Sequence, residues 1–150
     1  MLQPPTLQKP QSLLAFDFGT QRIGVALGNT LLRQARPLEI IRAQTKLQRF
    51  ALIEALVLRW QPDVLVVGLP LTADGGEQLV TRQSRRFGHQ LQGRFGLPIV
   101  MVDERHSSLQ AQETVGHAAD DAMAAAIILQ RYLDALPSNC NESEHDQSAN

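Results

Sequence analysis

Apolar residues occur along the chain in short blocks whose spacing predicts five strands. Residues 13–18 are almost entirely apolar, and residues 22–27 alternate between large and small apolar side chains. The three residues between these blocks are enough for a hairpin, and residues 36–42 predict the third strand of an antiparallel meander. The run 63–68 has apolar residues on both faces, which is typical of a central strand covered by helices. A fifth strand is predicted over residues 96–102.

Longer stretches with apolar residues at helical spacing alternate with the last strands. They predict helices over residues 45–60, 77–94 and 121–136, and a capping-box pattern predicts a further helix over residues 107–116. The order of the main elements, βββαβαβα, predicts an α/β fold in which helices cover both faces of a mixed sheet. In the first two helices we expect the following side chains to face the core: Leu47, Phe50, Ala51, Ala55, Leu58, Leu79, Phe87 and Leu91.

Length and composition fit one compact domain over residues 13–136, because 150 residues with 43% apolar content can bury a real core. Residues 1–12 are polar and contain three prolines, and residues 137–150 are rich in Ser, Asn and acidic side chains. Both ends are predicted to be disordered, the second as an acidic tail. The first twelve residues fit neither a secretory signal nor a membrane span, and Cys140 is the only cysteine. We therefore expect a cytoplasmic protein that does not bind membranes.

The charge distribution gives a weak indication of a phosphate-bearing partner. The formal net charge of the chain is −1, but residues 1–136 hold 14 basic against 12 acidic residues. Twelve of the basic residues are Arg, whose planar guanidinium suits phosphate. A base composition of the genome that favours Arg codons explains the same count equally well.

Carboxylates at the ends of three predicted elements are the strongest chemical signal. Asp17 interrupts the first apolar block, Asp103 and Glu104 follow the fifth, and Asp120 and Asp121 begin the last helix. A charge inside a strand is costly to bury unless a cation or hydrogen-bond donors compensate it. Hard divalent cations prefer oxygen ligands, and phosphodiester cleavage often uses two of them. The pattern predicts a divalent-metal site.

Each carboxylate also has a purely structural interpretation. Asp17 can form a buried pair with Arg22, and Glu104 a surface pair with the residue that follows it. Asp120 and Asp121 are helix-start residues of the kind the helix dipole favours, and Asp120 can serve as the N-cap. Asp121 shares one helical stripe with apolar residues, which points it toward the sheet. Asp103 is the member expected to be structural.

Four ordered motifs in residues 13–136 resemble the YqgF family, whose members are assigned as nucleases that process the 5′ end of pre-16S rRNA. That family is similar to the RuvC-like Holliday junction resolvases, which have an RNase H-like fold. The motifs are residues 17–26, residues 68–70 with 74–75, residues 103–105 with 107–108, and residues 121–125 with 128–130.

The resemblance implies a fold and a set of metal ligands. The fold is RNase H-like, a five-stranded mixed sheet in the order 3-2-1-4-5 with strands 1 and 4 adjacent at its centre. Asp17, Glu104 and Asp121 would be the catalytic ligands of Mg²⁺ or Mn²⁺. Asp121 matches the family pattern better than Asp120, because it lies nine residues before Gln130.

The predicted substrate contacts are less specific than the ligands. Arg22 can bind phosphate or buttress Asp17, and the buttress is the preferred interpretation because it lies just past the turn. Gly68 and the loop after it can present backbone N–H groups to phosphate, or form an ordinary turn. A basic helix face and the Asp-Glu-Arg motif add Arg82, Arg85, Arg86 and Arg105. His106 is a weaker candidate, as a general base.

The family resemblance implies a metal-dependent nuclease acting on pre-16S rRNA, free or in the 30S precursor particle, as a monomer or weak homodimer. Two alternatives remain open: a resolvase-like DNA endonuclease acting on branched DNA, and a non-catalytic RNA-binding module for ribosome assembly. The module is favoured by one departure from the family. Only sixteen residues separate Glu104 from Asp121, and Arg105 is the sole Lys or Arg among them. An actin-like ATPase is not expected, because it would need a second domain and the length of this chain fits one.

Overall fold

The computed structural model describes residues 9–104 and 121–137. Within those ranges the chain forms five strands and three helices. The strands are β1 (Ser12–Asp17), β2 (Arg22–Asn29), β3 (Arg36–Arg42), β4 (Val64–Leu69) and β5 (Ile99–Asp103). The helices are α1 (Lys46–Trp60), α2 (Leu79–Phe95) and α3 (Asp121–Ala135). The predicted helix over residues 107–116 lies outside the described residues, as do residues 1–8 and 138–150.

The five strands form one mixed sheet in the order β3-β2-β1-β4-β5, which confirms the predicted order 3-2-1-4-5. β1, β2 and β3 form the antiparallel meander, and Asp17 lies opposite Gly24 in its first hairpin. β4 runs parallel to both β1 and β5. The carboxyl ends of these three strands therefore meet at one edge of the sheet, where ligands of open α/β sheets bind.

Alternation along the central strand divides the core into two layers. Leu14 and Phe16 point to the face that α1 and α2 cover, whereas Leu13 and Ala15 point to the face that α3 covers. β4 is buried along its whole length, as its two apolar faces predict. The predicted placement of helices on both faces is confirmed.

Local signals fix where the helices begin and end. Thr45 is the N-cap of α1, and its Oγ1 accepts a hydrogen bond of 3.1 Å from the backbone N–H of Gln48. α1 ends at Gln61 in the left-handed region, with φ 50°, directly before a proline. α2 ends at Gly96, with φ 67°, a conformation that glycine adopts without strain.

The predicted inward faces of the first two helices are partly wrong. Leu47 and Leu58 are 76% and 64% exposed, and Leu79 is 63% exposed. Ala51 and Ala55, also expected to face the core, are exposed as well. α1 has two apolar stripes, and the sequence alone does not say which one packs. The stripe that is buried holds Phe50, Ile53 and Leu56. On α2 the buried face begins instead with two small polar residues, Thr81 and Ser84.

The boundaries of the domain stay a prediction at both ends. Ser12 already belongs to β1, and its N–H donates to Asp63 Oδ2 at 2.8 Å. β1 therefore begins one residue before the predicted first strand, and the proposed disorder of 1–12 and 137–150 falls mainly on residues outside the described ranges. None of the helices in residues 9–104 and 121–137 has the length and hydropathy needed to cross a membrane.

Phe87 on α2 joins the aromatic cluster of the α1 and α2 layer. Its ring lies 5.8 Å from Phe16, 4.8 Å from Phe18 and 6.0 Å from Phe50, centroid to centroid. We predict that Phe87→Ala lowers the free energy of unfolding by about 3–5 kcal/mol, because it leaves a cavity between the sheet and two helices. Urea denaturation measures the loss. Leu79→Ala, on the same helix but exposed, should change it by less than about 0.5 kcal/mol, and equal losses would contradict this packing.

Candidate active site

Asp17 is the last residue of β1 and lies on the face of the sheet that α3 covers. It continues the alternation of Leu13 and Ala15, whose side chains pack against α3. Burial raises the pKa of Asp17 to about 7, and the negative charge of Asp121 adds to the rise. The carboxyl therefore keeps its proton to a higher pH than a free aspartic acid does.

Glu104 directly follows β5 and is only 4% exposed. Its backbone N–H donates to the carbonyl of Leu69, the last residue of β4, at 3.0 Å. Burial raises its pKa to about 8, and the charges of Asp17 and Asp103 contribute in that order. The side chain is not the surface carboxylate of the structural interpretation, because it is buried at the edge where the parallel strands end.

Asp121 is the first residue of α3, and Arg22 is its ion-pair partner. The Nε of Arg22 lies 3.4 Å from Asp121 Oδ2, with the two side chains 59% and 31% exposed. The preferred interpretation of Arg22 as a buttress of Asp17 therefore needs correction, because the carboxylate it contacts belongs to Asp121. Residues 22 and 24 share the face that α3 covers, so Arg22 can reach the start of that helix. At this exposure the pair orients the side chains more than it stabilises the fold.

Two glycines let the helix and the strands come close enough to form this site. A Cβ on Gly24 would lie 1.8 Å from the backbone oxygen of Asp121. A Cβ on Gly68 would lie 2.4 Å from Ile128 Cδ1 and 3.0 Å from Glu104 Oε1. Gly24 therefore sets the position of Asp121, and Gly68 leaves room for the Glu104 carboxylate. Phosphate binding by Gly68 stays a prediction, since its backbone lies within β4.

The three carboxylates have the oxygen ligands that a divalent cation prefers, but their side chains are not yet close enough to one another to hold one ion. Their oxygens are the ligands that Mg²⁺ and Mn²⁺ prefer, and a bound dication would relieve both causes of the raised pKa values of Asp17 and Glu104. Among the described residues, however, no three Asp, Glu, His or Cys side chains converge closely enough to hold one metal ion. Coordination by all three therefore requires side-chain rotation, with Asp17 as the neighbour that the other two share.

The predicted basic face of α2 is not brought together with these carboxylates. α2 covers the sheet face opposite to α3, and Arg82 and Arg86 are exposed on it. Arg85 forms an ion pair with Glu77. Their contact with substrate stays a prediction. Three further candidates lie outside the described residues: Arg105, His106 and Asp120.

Arg49 of α1 contacts the turn after Asp17, and the sequence did not predict this contact. Its guanidinium donates to the carbonyl of Thr20 at 3.2 Å and lies 5.2 Å from the centroid of the Phe18 ring. Desolvation lowers its pKa. Arg49 thus holds the turn that connects Asp17 to Arg22. The only sequence signal was an Arg on the partly apolar side of a helix, which does not identify its target.

Comparison with known proteins relates residues 11–135 to the RuvX family, which is described as Holliday junction resolvase. A protein named "Putative pre-16S rRNA nuclease" from Bordetella parapertussis is 62% identical over 128 residues, covering 85% of this chain and 96% of the relative. A relative of the same name from Burkholderia mallei is 52% identical over 136 residues, covering 87% and 93%.

Similar solved structures include Holliday junction resolvases. RuvC from T. thermophilus, in complex with a Holliday junction substrate, has a TM-score of 0.53 at 16% identity and covers 83% of this chain and 94% of that one. The fowlpox virus resolvase has a TM-score of 0.56 at 14% identity, with 83% and 99% covered. At these identities the likeness concerns the fold, and it confirms the predicted RNase H-like architecture.

The raised pKa values predict that stability falls as pH rises. Asp17 and Glu104 bind protons more tightly in the folded than in the unfolded chain, so the folded state holds extra protons between about pH 4 and about pH 8. Without divalent cations, the melting temperature should therefore decrease from about pH 5 to about pH 8.

Asp17→Asn should flatten this decrease, and this variant should have a higher melting temperature than the parent at the upper pH. Circular dichroism in EDTA measures both, with the exposed Glu54→Gln as control. Parallel profiles for Asp17→Asn and the parent would contradict the buried-carboxyl assignment.

The close approach at Gly24 predicts a large effect from a single methyl group. Gly24→Ala should destabilise the protein by about 1–3 kcal/mol or displace the start of α3, because the atoms it meets are backbone. Gly93→Ala is the matched control, since a Cβ there meets nothing within 4 Å and α2 should gain about 0.5–1 kcal/mol. Denaturant unfolding of both variants checks the pair. A neutral Gly24→Ala would show that α3 does not pack on β2 in this way.

Proposed function

The chain belongs to the RuvX family, whose members are phosphodiester-cleaving hydrolases, and we propose that it is a divalent-metal-dependent nuclease that processes the 5′ end of pre-16S rRNA. The observation that carries the proposal is the grouping of three carboxylates at the carboxyl edge of β1, β4 and β5. Two of them, Asp17 and Glu104, have pKa values raised by burial and by neighbouring negative charge. Carboxylates whose pKa values are perturbed in this way cluster at functional sites.

Asp17, Glu104 and Asp121 would hold Mg²⁺ or Mn²⁺. When bound, these cations activate the attacking water and stabilise the charge that develops on the leaving oxygen. Asp17 is fixed by its place in the β1–β2 ladder, and Glu104 by the hydrogen bond of its N–H to β4. Arg22 orients the carboxylate of Asp121 through their ion pair. The backbone of each candidate ligand is thus held on a rigid element, and only side-chain rotation would be needed for coordination.

The RNA substrate is favoured over branched DNA by the names of relatives that are 52–62% identical across most of their length. The description of the family model favours DNA junctions, so a resolvase-like activity is the second candidate. A non-catalytic binding module is disfavoured, because a surface that binds phosphate gains nothing from buried carboxylates beside it. A pre-16S substrate, free or in the 30S precursor particle, implies a cytoplasmic location, and a monomer or weak homodimer is sufficient for it.

Cleavage of a 5′-extended precursor RNA tests the proposal. The parent protein should cleave with Mg²⁺ or Mn²⁺ and not in EDTA. Asp17→Asn and Glu104→Gln should each lower the rate about a hundred-fold or more, since even groups that only orient a metal ligand contribute 10- to 100-fold. Mn²⁺ at about a hundred times its dissociation constant should stabilise the parent by about 2.7 kcal/mol, and stabilise these variants less.

The exposed Glu54→Gln serves as the charge-matched control and should cleave like the parent. A four-way DNA junction run in parallel separates the two candidate substrates. Faster cleavage of the junction than of the precursor RNA would establish the resolvase alternative. Unchanged rates for Asp17→Asn and Glu104→Gln would remove these carboxylates from the reaction.

A further inference from the structure

Two arginines face each other directly across the ends of β2 and β3. Arg22 and Arg42 are paired in the antiparallel register, where opposite Cα atoms lie about 4.5–5.5 Å apart. Like charges at such a position destabilise a sheet. Arg22 has an ion-pair partner in Asp121, whereas no carboxylate of residues 9–104 or 121–137 lies within ion-pair distance of Arg42. Among the residues that the structure describes, Arg42 therefore carries a positive charge without an ion-pair partner beside the candidate active site.

These arginines lie in a groove of about 1250 Å³ between the end of the meander and the start of α1. Its polar lining consists of Thr20, Gln21, Arg22, Arg42, Gln44 and Gln48. None of the described residues that line it is acidic. The volume exceeds the roughly 300–1,000 Å³ typical of small-molecule sites, so the groove suits an extended polymer better than a metabolite.

A hydrogen bond to the backbone holds one polar side chain of the groove, Gln48. The Oε1 of Gln48 accepts the backbone N–H of Gln44 at 3.0 Å, which leaves its amide nitrogen as the end that can donate to a ligand. Arg22 links the groove to the carboxylates, because it lines the groove and forms an ion pair with Asp121. A strand with one phosphodiester at the carboxylates would have its neighbouring phosphates in reach of Arg42.

We propose that this groove binds the phosphodiester backbone of the single strand flanking the cleaved bond, with Arg42 as its main phosphate contact. The inference rests on the proposed function, since it gives the substrate of that site a path across the surface. A phosphate between Arg22 and Arg42 removes the repulsion that the empty sheet end carries. Arg42 lies outside the four motifs and would determine affinity rather than chemistry.

The test measures binding of a fluorescein-labelled 16-nucleotide RNA, and of DNA of the same sequence, to the full chain in EDTA, where cleavage is stopped. Arg42→Gln should weaken both complexes roughly tenfold, the loss expected for one charge-assisted hydrogen bond. It should also lower the slope of log K against log salt by about 0.7, the share of one single-strand phosphate. Arg42→Lys should keep that slope.

Arg36→Gln is the matched control, because Arg36 lies on the same strand about 20 Å away and the variant loses the same charge. It should leave affinity and slope unchanged. Arg42→Gln should not lower the melting temperature, since it removes a like charge facing Arg22. Equal effects of Arg42→Gln and Arg36→Gln would overturn the proposal, and so would a loss confined to RNA, which would indicate a sugar or base contact.

Cleavage assays with metal separate this inference from the proposed function. A parent that binds through Arg42 but does not cleave would contradict the proposed nuclease and support the groove. A parent that cleaves, while Arg42→Gln binds as tightly as the parent, would overturn the groove alone.

Discussion

The desolvation of negative charge at one edge of the sheet is the constraint on which the rest of the site depends. Asp17 ends the central strand and lies under α3, so burial is the largest cause of its raised pKa, ahead of the charge of Asp121. Glu104 is only 4% exposed, and the negative charge of Asp17 raises its pKa further. A protein maintains such an arrangement only if the surrounding packing outweighs its cost. Here the two apolar layers on either side of β1 supply that packing.

The two faces of the sheet have different roles. One mainly stabilises the fold, and the other holds the candidate active site. The face toward α1 and α2 holds the aromatic cluster, and Arg49 extends it to the turn after Asp17. The face toward α3 holds all three carboxylates and the two glycines that let the elements approach. Because Gly24 meets the backbone of Asp121, the position of this candidate ligand is set by main-chain packing rather than by a flexible side chain. Coordination of a cation by all three carboxylates would then require only rotation of their side chains.

Much of this arrangement could be predicted from the sequence, because its signals are local. The apolar run within residues 63–68 predicted a covered parallel strand, and Thr45 marked the start of the first helix, where its side chain caps the backbone. The two apolar stripes of α1 could not be ranked, since only tertiary packing decides between Phe50 and Leu47. The prediction that Arg22 contacts Asp17 was wrong for a similar reason. Asp17 is five residues away and Asp121 ninety-nine, yet the hairpin turns Arg22 toward the start of α3. The pairing of Arg22 with Arg42 likewise depends on strand register, which sequence spacing does not fix.

The most direct test of the carboxylate cluster is the number of protons released when Mn²⁺ binds. Calorimetric titration at pH 7, repeated in buffers of different ionisation enthalpy, measures this number for the parent protein. Because Asp17 and Glu104 hold protons at that pH and ligating carboxylates must be ionised, binding should release about one proton or more. The release should diminish at pH 9, where both groups are already ionised. Binding without proton release at pH 7, or no binding at all, would contradict the account.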